Sequence, residues 1–274
     1  MPGSEIYERF MALHTRDGGL VMPNAWDGLS ALLLADAGFE AIGTSSAAIA
    51  ATLGRLDGRH EITRDEHLAH ARLLARLTGL PVNGDFEDGY GDTADDVAAT
   101  VEAAVHAGLA GIGVEDTSGD PEQPIRDFDD AVDRVRGAVA ASKGRIVVTG
   151  RTDNFIQGRP DLDDTIRRLT AFAEAGADVV YAPFPPDLDA LVAIVTAVAP
   201  TPVNVLVSPS DKVLTVTELQ QAGVKRISLG PLLYTHAMKA VDEAAKALLA
   251  GDLASATTGM DFTRVSELLT RGRN

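Results

Sequence analysis

The chain has 274 residues, 45 % of them hydrophobic, with a net charge of −16 and no cysteine. A mean hydropathy of +0.04 fits a folded globular protein, and the acidic balance excludes the basic face that a nucleic-acid partner needs. The lack of cysteine excludes disulfides, thiolate nucleophiles and Cys-ligated zinc.

No apolar run approaches the roughly 18 residues of a membrane span, and Met1–Phe10 lacks an apolar signal core. A cytoplasmic protein with no membrane partner is therefore expected. After a short leading helix over Glu5–Leu13, apolar strand-like runs alternate with amphipathic helical stretches. The first four strands are expected near Gly19–Met22, Ala41–Thr44, Pro81–Asp85 and Gly111–Glu115; the next four near Arg145–Gly150, Asp178–Ala182, Pro202–Val207 and Arg226–Gly230. Helices are expected over Leu29–Ala37, Arg64–Thr78, Ala94–Ala107, Asp129–Ala141, Asp163–Ala175, Leu188–Val198, Val216–Ala222 and Leu232–Ala250, with a trailing helix over Asp261–Leu269. Four of the helices end in Ala-Gly before the next strand (Ala37-Gly38, Ala107-Gly108, Ala175-Gly176, Ala222-Gly223), the usual place for a left-handed cap. Eight strand–helix units predict a parallel sheet, and the length fits one (β/α)8 TIM barrel domain over residues 1–274. A doubly wound open sheet is the structural alternative.

In such a barrel the site lies at the C-terminal strand ends. The third strand runs into Asp85-Phe86-Glu87-Asp88-Gly89-Tyr90-Gly91, and the fourth ends in Glu115-Asp116. Carboxylates this crowded repel unless neutralised, and a hard cation such as Mg²⁺ takes oxygen ligands while keeping waters. The alternative is a solvated acidic turn. The other strand ends supply Trp26, Ser45-Ser46-Ala47 with Asp57 in the loop beyond, Arg151-Thr152-Asp153-Asn154, Asn204 followed by Ser208-Pro209-Ser210, and Ser228. Arg151 can grip a carboxylate or enolate oxygen in a fork, or form a structural ion pair. The amides and hydroxyls at Ser45 and Ser46 can cradle a second anionic group, or make a plain turn. Trp26 suits either a core position or a lid over substrate. The set suits a small anionic oxo acid that reacts through an enolate. Thr117–Pro124 reads as a mobile polar loop and a candidate lid.

These residues together resemble the isocitrate lyase / phosphoenolpyruvate mutase superfamily. The resemblance rests on Pro23-Asn24-Ala25-Trp26-Asp27, Thr44-Ser45-Ser46, Asp57, Asp85-x-Glu87-x-Gly89-Tyr90-Gly91, Gly113-x-Glu115-Asp116, Gly150-Arg151-Thr152-Asp153 and Ser228-Leu229-Gly230-Pro231. It implies a barrel whose last helix is swapped between subunits, in a homodimer or homotetramer, and Mg²⁺ or Mn²⁺ as cofactor. It implies Asp85 as the direct metal ligand, with Asp57, Glu87 and Glu115 holding the metal through waters. Ser45, Ser46 and Ala47 would bind the substrate carboxylate and Arg151 the oxo-acid end. Asn204 and Trp26 would face the substrate, and Arg151, Glu115 and Asp57 would carry the chemistry. The chain departs from the family at the lid. The Cys-bearing motif of the isocitrate and methylisocitrate lyases is missing, and no Lys, Arg or Asn stands between Asp116 and Pro124 to grip a phosphoryl group. Gly43 and Ser46 replace the usual Tyr and Gly. The expectation is a metal-dependent C–C lyase acting on an α-oxo or 2-hydroxy dicarboxylic acid. The alternatives are phosphonopyruvate hydrolase or mutase chemistry, and a barrel that binds an oxo acid without turnover. A Schiff-base aldolase is a weaker rival, since only Lys212 stands near a strand end.

Overall fold

Short runs of β-branched and small residues set the strands, and strong caps set the helices around them. The computed structural model describes residues 2–207 and 213–272. The strands are β1 (Leu20–Met22), β2 (Ile42–Gly43), β3 (Val82–Asp85), β4 (Gly111–Glu115), β5 (Val147–Arg151), β6 (Val179–Tyr181), β7 (Val203–Leu206) and β8 (Arg226–Ser228). All are parallel, in the order β1-β8-β7-β6-β5-β4-β3-β2. The barrel closes where β1 meets β2. There the ladder shrinks to one Asn24–Gly43 bridge, with Ala25 N–H donating to Gly43 O and Gly43 N–H to Pro23 O.

The helices around it are α2 (Gly28–Asp36), α3 (Ser46–Thr52), α4 (Arg64–Thr78), α5 (Ala94–Ala107), α6 (Phe128–Ser142), α7 (Leu162–Glu174), α8 (Leu188–Val198), α9 (Val216–Gln221) and α10 (Leu232–Leu249). Capping boxes open α2 at Asp27, α4 at Thr63, α5 at Thr93 and α9 at Thr215, each satisfying orphan N–H groups of a first turn. Strand residues alternate between the helix layer and the barrel interior. Outward-facing Val82, Ile112 and Val148 pack on Leu74, Val101 and Ala138, while Val180, Val205 and Ile227 pack on Phe172, Leu191 and Leu219. Inward-facing Leu20, Met22, Ala41, Val147 and Val179 gather round Phe10 of the leading helix α1 (Pro2–Thr15), which plugs the N-terminal end.

Above that plug the interior turns polar. Arg226, 2 % exposed, crosses the barrel from β8. It donates through Nε to Asn204 Oδ1 at 3.0 Å and through NH2 to Thr149 Oγ1 at 3.1 Å, and NH1 lies 3.4 Å from His14 Nε2. Among the described residues it forms no ion pair. Burial lowers its pKa to about 10.

The predicted elements recur within a few residues at their ends. Two features were not foreseen: α3, hidden in what reads as a turn and a Gly-rich loop, and a short 3-10 turn over Ala254–Thr257 before α11 (Phe262–Arg271). α11 returns to the barrel, where Arg264 and Arg271 pair with Asp36 of α2. None of the 18 residues of α10 is buried. No described helix is long and apolar enough to cross a membrane.

Candidate active site

The residues singled out in the sequence converge on the C-terminal mouth of the barrel. Asp85, last residue of β3, takes the N–H of Ser46 at 3.0 Å and its hydroxyl at 3.1 Å on Oδ2. Its other oxygen lies 3.4 Å from Arg151 NH1. Arg151 ends β5, one residue later than the predicted strand, and faces inward. Its Nε and NH2 form a fork on Asp153 at 2.6 and 3.0 Å, NH1 pairs with Glu115 at 2.9 Å, and the Tyr181 ring centroid lies 5.1 Å from its Cζ. Asp116 lies just outside the mouth. It accepts Asp153 N–H at 2.9 Å and Arg168 NH1 at 3.2 Å, and so locks the loop that carries Asp153.

The turn after Asp85 is strained. Glu87 and Tyr90 hold φ of 48° and 57°, left-handed values uncommon for side-chain-bearing residues. The strain aims Glu87 back at the mouth, where its oxygens meet the Tyr90 hydroxyl and the His60 N–H, each at 3.4 Å. Burial, opposed by His60 and reinforced by the charges of Asp57 and Asp85, raises Glu87 to about 7. Burial also pushes Glu115 well above the carboxylate range against the pull of Arg151. Asp57 is exposed as a residue, yet burial of its carboxyl and then the charge of nearby Asp85 raise its pKa, against the pull of Ser46 and Arg151. Asp88 turns away into a separate knot with His60 at 2.8 Å, Arg126 at 2.8 Å and buried Arg134 at 3.4 Å.

Five carboxylates (Asp57, Asp85, Glu87, Glu115, Asp153) thus surround one guanidinium. The donor set is all oxygen, and burial and mutual crowding raise the pKa of Asp57, Glu87 and Glu115, a cost that a hard divalent cation would relieve. Among the described residues no three of these side chains gather as a direct ligand cluster, so such a cation would keep several waters.

The remaining predicted residues fall as follows. Ser45 caps α3 through Ala48 N–H at 3.3 Å, so Ser45, Ser46 and Ala47 form the start of a helix at the mouth. Asn204 lies below the mouth, its Nδ2 donating to Ser228 Oγ at 2.9 Å while Oδ1 takes Arg226. Trp26, half-buried, meets Tyr234 of α10 edge-on at 5.7 Å. Ser208-Pro209-Ser210 and Lys212 lie outside the described residues. The predicted lid is a small hairpin: Thr117 bridges Ile125, Ser118 N–H donates to Pro124 O at 3.0 Å, and Arg126 Nε holds Thr117 O at 2.9 Å.

Two residues at the mouth were given no role from the sequence, although one of them, Asn24, stands in the Pro23–Asp27 motif. Asn24 spans the β1–β2 closure, donating to Thr44 O at 2.6 Å and accepting Leu229 and Gly230 N–H at 3.0 and 2.9 Å. A Cβ at Gly43 would stand 2.8 Å from Asn24 Nδ2, so the missing side chain there makes room for this clip. Tyr181 is the other.

Residues 10–249 match the family described as phosphoenolpyruvate phosphomutase. An uncharacterised protein of Mycobacterium tuberculosis is 36 % identical over 245 residues, covering 89 % of this chain and 90 % of its own. The oxaloacetate decarboxylase of Paraburkholderia xenovorans is 29 % identical over 273 residues, covering 96 % of this chain and 88 % of its own. A crystal structure of a candidate lyase/mutase from Burkholderia cenocepacia superposes with a TM-score of 0.92 at 39 % identity, covering 97 % of this chain and 96 % of its own.

Proposed function

The chain belongs to the isocitrate lyase / phosphoenolpyruvate mutase superfamily, and from that premise we propose a Mg²⁺- or Mn²⁺-dependent lyase that breaks a C–C bond in a small α-oxo or 2-hydroxy dicarboxylic acid through an enolate. The observation that carries this reading is Arg151, locked by Asp153 and Glu115 at the mouth and facing Asp85 at the end of β3. Asp85 would hold the cation directly, and Asp57, Glu87 and Glu115 through waters. When bound, the cation supplies Lewis-acid polarisation of the oxo group.

The chain's own residues bind and orient. Two of the Arg151 nitrogens are committed to Asp153, which fixes the guanidinium plane. NH1 pairs with Glu115 and lies 3.4 Å from Asp85; once those carboxylates engage a cation, NH1 would turn to the oxo-acid end and stabilise negative charge as it develops. The start of α3 at Ser45–Ala47 would take the second carboxylate on backbone amides. Asn204 supports the pocket floor from below. The 117–125 hairpin, rooted at Glu115, would shield the site from water. The oxaloacetate decarboxylase relative makes oxaloacetate the first substrate to assay.

Pyruvate should form from oxaloacetate with Mg²⁺ and stop on adding EDTA. Metal-independent turnover would overturn the reading. Phosphate released from phosphonopyruvate would move it to P–C chemistry, which a hairpin tip without Lys, Arg or Asn between Asp116 and Pro124 does not favour. Oxalate binding with no turnover of any oxo acid would leave a binding protein.

The wholly unburied α10 and the apolar Leu249 and Phe262, 93 % and 77 % exposed, support a homodimer or homotetramer in which this helix packs on a neighbouring copy.

A further inference from the structure

We propose that Tyr181 is the proton donor that converts the substrate-derived enolate into a ketone, with its phenolate held between Arg151 and Arg226. The inference rests on the lyase reading of the same site and names a group that reading leaves unassigned. Any enolate formed at the mouth must take a proton on carbon before it leaves as a keto acid.

Tyr181 ends β6 with its side chain inward, as Val179 is two residues earlier. Strand register sets Arg151, Tyr181 and Asn204 side by side on the barrel wall. The ring lies against the Arg151 guanidinium, 5.1 Å from centroid to Cζ, and the residue is only 8 % exposed. Its hydroxyl makes no hydrogen bond among the described residues, and it is not one of the sealed, partnerless polar atoms of the interior. Tyr181 is the last residue of β6, in register with Arg151 at the mouth end of the wall.

The other candidate donors on this wall are committed. Ser228 Oγ takes Asn204 Nδ2 and donates to Val205 O at 3.2 Å. Asn204 Oδ1 takes Arg226. Ser46 is bound to Asp85, and Glu115 to Arg151. Below Tyr181, Arg226 is a buried cation with only neutral partners, within electrostatic reach of the phenol. A buried guanidinium gains most when a neighbouring group acquires negative charge. Desolvation raises the phenol's pKa at rest, so the proton is present when an enolate forms.

In the step, the Tyr181 O–H bond breaks and the enolate's C=C electron pair takes the proton, forming a C–H bond. The enolate C–O⁻ becomes C=O. The phenolate, flanked by two guanidiniums, then takes a proton from solvent.

The test needs no knowledge of the bond broken. Enolpyruvate is generated in solution from phosphoenolpyruvate by an added phosphatase, and its ketonisation is followed by ultraviolet absorbance with the Mg²⁺-loaded protein present. Oxalate affinity is measured alongside by calorimetry. The wild type should accelerate ketonisation, and Tyr181→Phe should lose about 10²- to 10⁴-fold of that acceleration with oxalate affinity unchanged. A 3-fluorotyrosine at position 181, nearly the same shape but more acidic, should change the rate and leave oxalate binding alone. Wild-type acceleration by Tyr181→Phe overturns the inference, as does parallel loss of oxalate binding, which marks a structural role. A wild type that binds oxalate but leaves enolpyruvate untouched sinks the tyrosine assignment alone; one that binds no oxalate sinks the lyase reading with it.

Discussion

Arg151 and Asp85 show how much of this site depends on single side chains whose partners are fixed. The Arg151 fork on Asp153 demands a planar, bidentate cation, which lysine cannot supply. Arg151→Lys should lower kcat/KM for the oxo-acid substrate by about 10²- to 10³-fold, the usual cost of one lost oxyanion donor, as measured in steady-state assays. Asp85→Asn keeps an acceptor for Ser46 but removes the charge. Mg²⁺ affinity, read by calorimetry, should fall by at least the roughly 10–100-fold typical of outer-shell partners. At the other end of the barrel, His14 governs acid stability. Its Nδ1 lies 2.8 Å from the Phe10 carbonyl, which can only accept, so the neutral ring carries its proton there and Nε2 accepts from Arg226. Burial first, then the Arg226 charge, lower its pKa to about 3. Above pH 6.5 the ring is neutral in folded and unfolded chains alike, and its contribution is fully present. As pH falls from 6.5 toward 3 the unfolded chain takes the proton first, and stability drops by about 1.4 kcal/mol per pH unit from this group. Urea titrations across that window should show this slope flattened in His14→Gln.

At the level of elements, the helices declared themselves and the strand ends did less so. α4, α5 and α8 have the bounds their sequence periodicity predicts because Thr63, Thr93 and Asp187 cap them and Gly79 and Gly108 stop the first two. The acidic turn after β3, the Glu115 end of β4 and Arg151 were legible because charge at the end of an apolar run is unusual. α3 was not, since Ser45 reads equally as a turn and as an N-cap until Ala48 N–H is seen on it. Tyr181 and Arg226 were hidden because β6 and β8 read only as buried strands, and their inward register exists only once the barrel closes. The Asp88 knot ties the His60 loop, the root of the hairpin and α6 together. Asp88→Ala would take from buried Arg134 its ion-pair partner, a loss of about 3–5 kcal/mol that thermal unfolding should report. Phe10→Ala at the α1 plug should cost about 3–5 kcal/mol while leaving oxalate affinity unchanged, since the plug lies at the end of the barrel away from the mouth.

On the scale of the whole molecule, a band of charge stands on an apolar base. The base at Phe10, Leu20, Val147 and Val179 is sealed, whereas the mouth concentrates carboxylates on a chain already at −16. Such a surface draws small cations and repels anionic substrates until the site's charge is partly offset. The unburied α10 belongs to this scale too. Light scattering on a sizing column should give two or four copies per particle, and deleting residues 232–272 should yield smaller particles or insoluble protein.

The seam between β1 and β2 gives the barrel a direction in which to breathe. A wall stitched by full ladders on seven sides and by one bridge on the eighth will part first at that eighth side, as a barrel opens along its weakest stave. Amide hydrogens of Ala25 and Gly43, the two that bond across the seam, should therefore exchange with deuterium sooner than those of Ile112 or Val148 across the barrel. Because Asn24 straddles the gap, each opening tugs on Thr44, whose hydroxyl holds the Asp85 amide. Slow motion of the wall is thereby passed to the carboxylate on which the whole site turns.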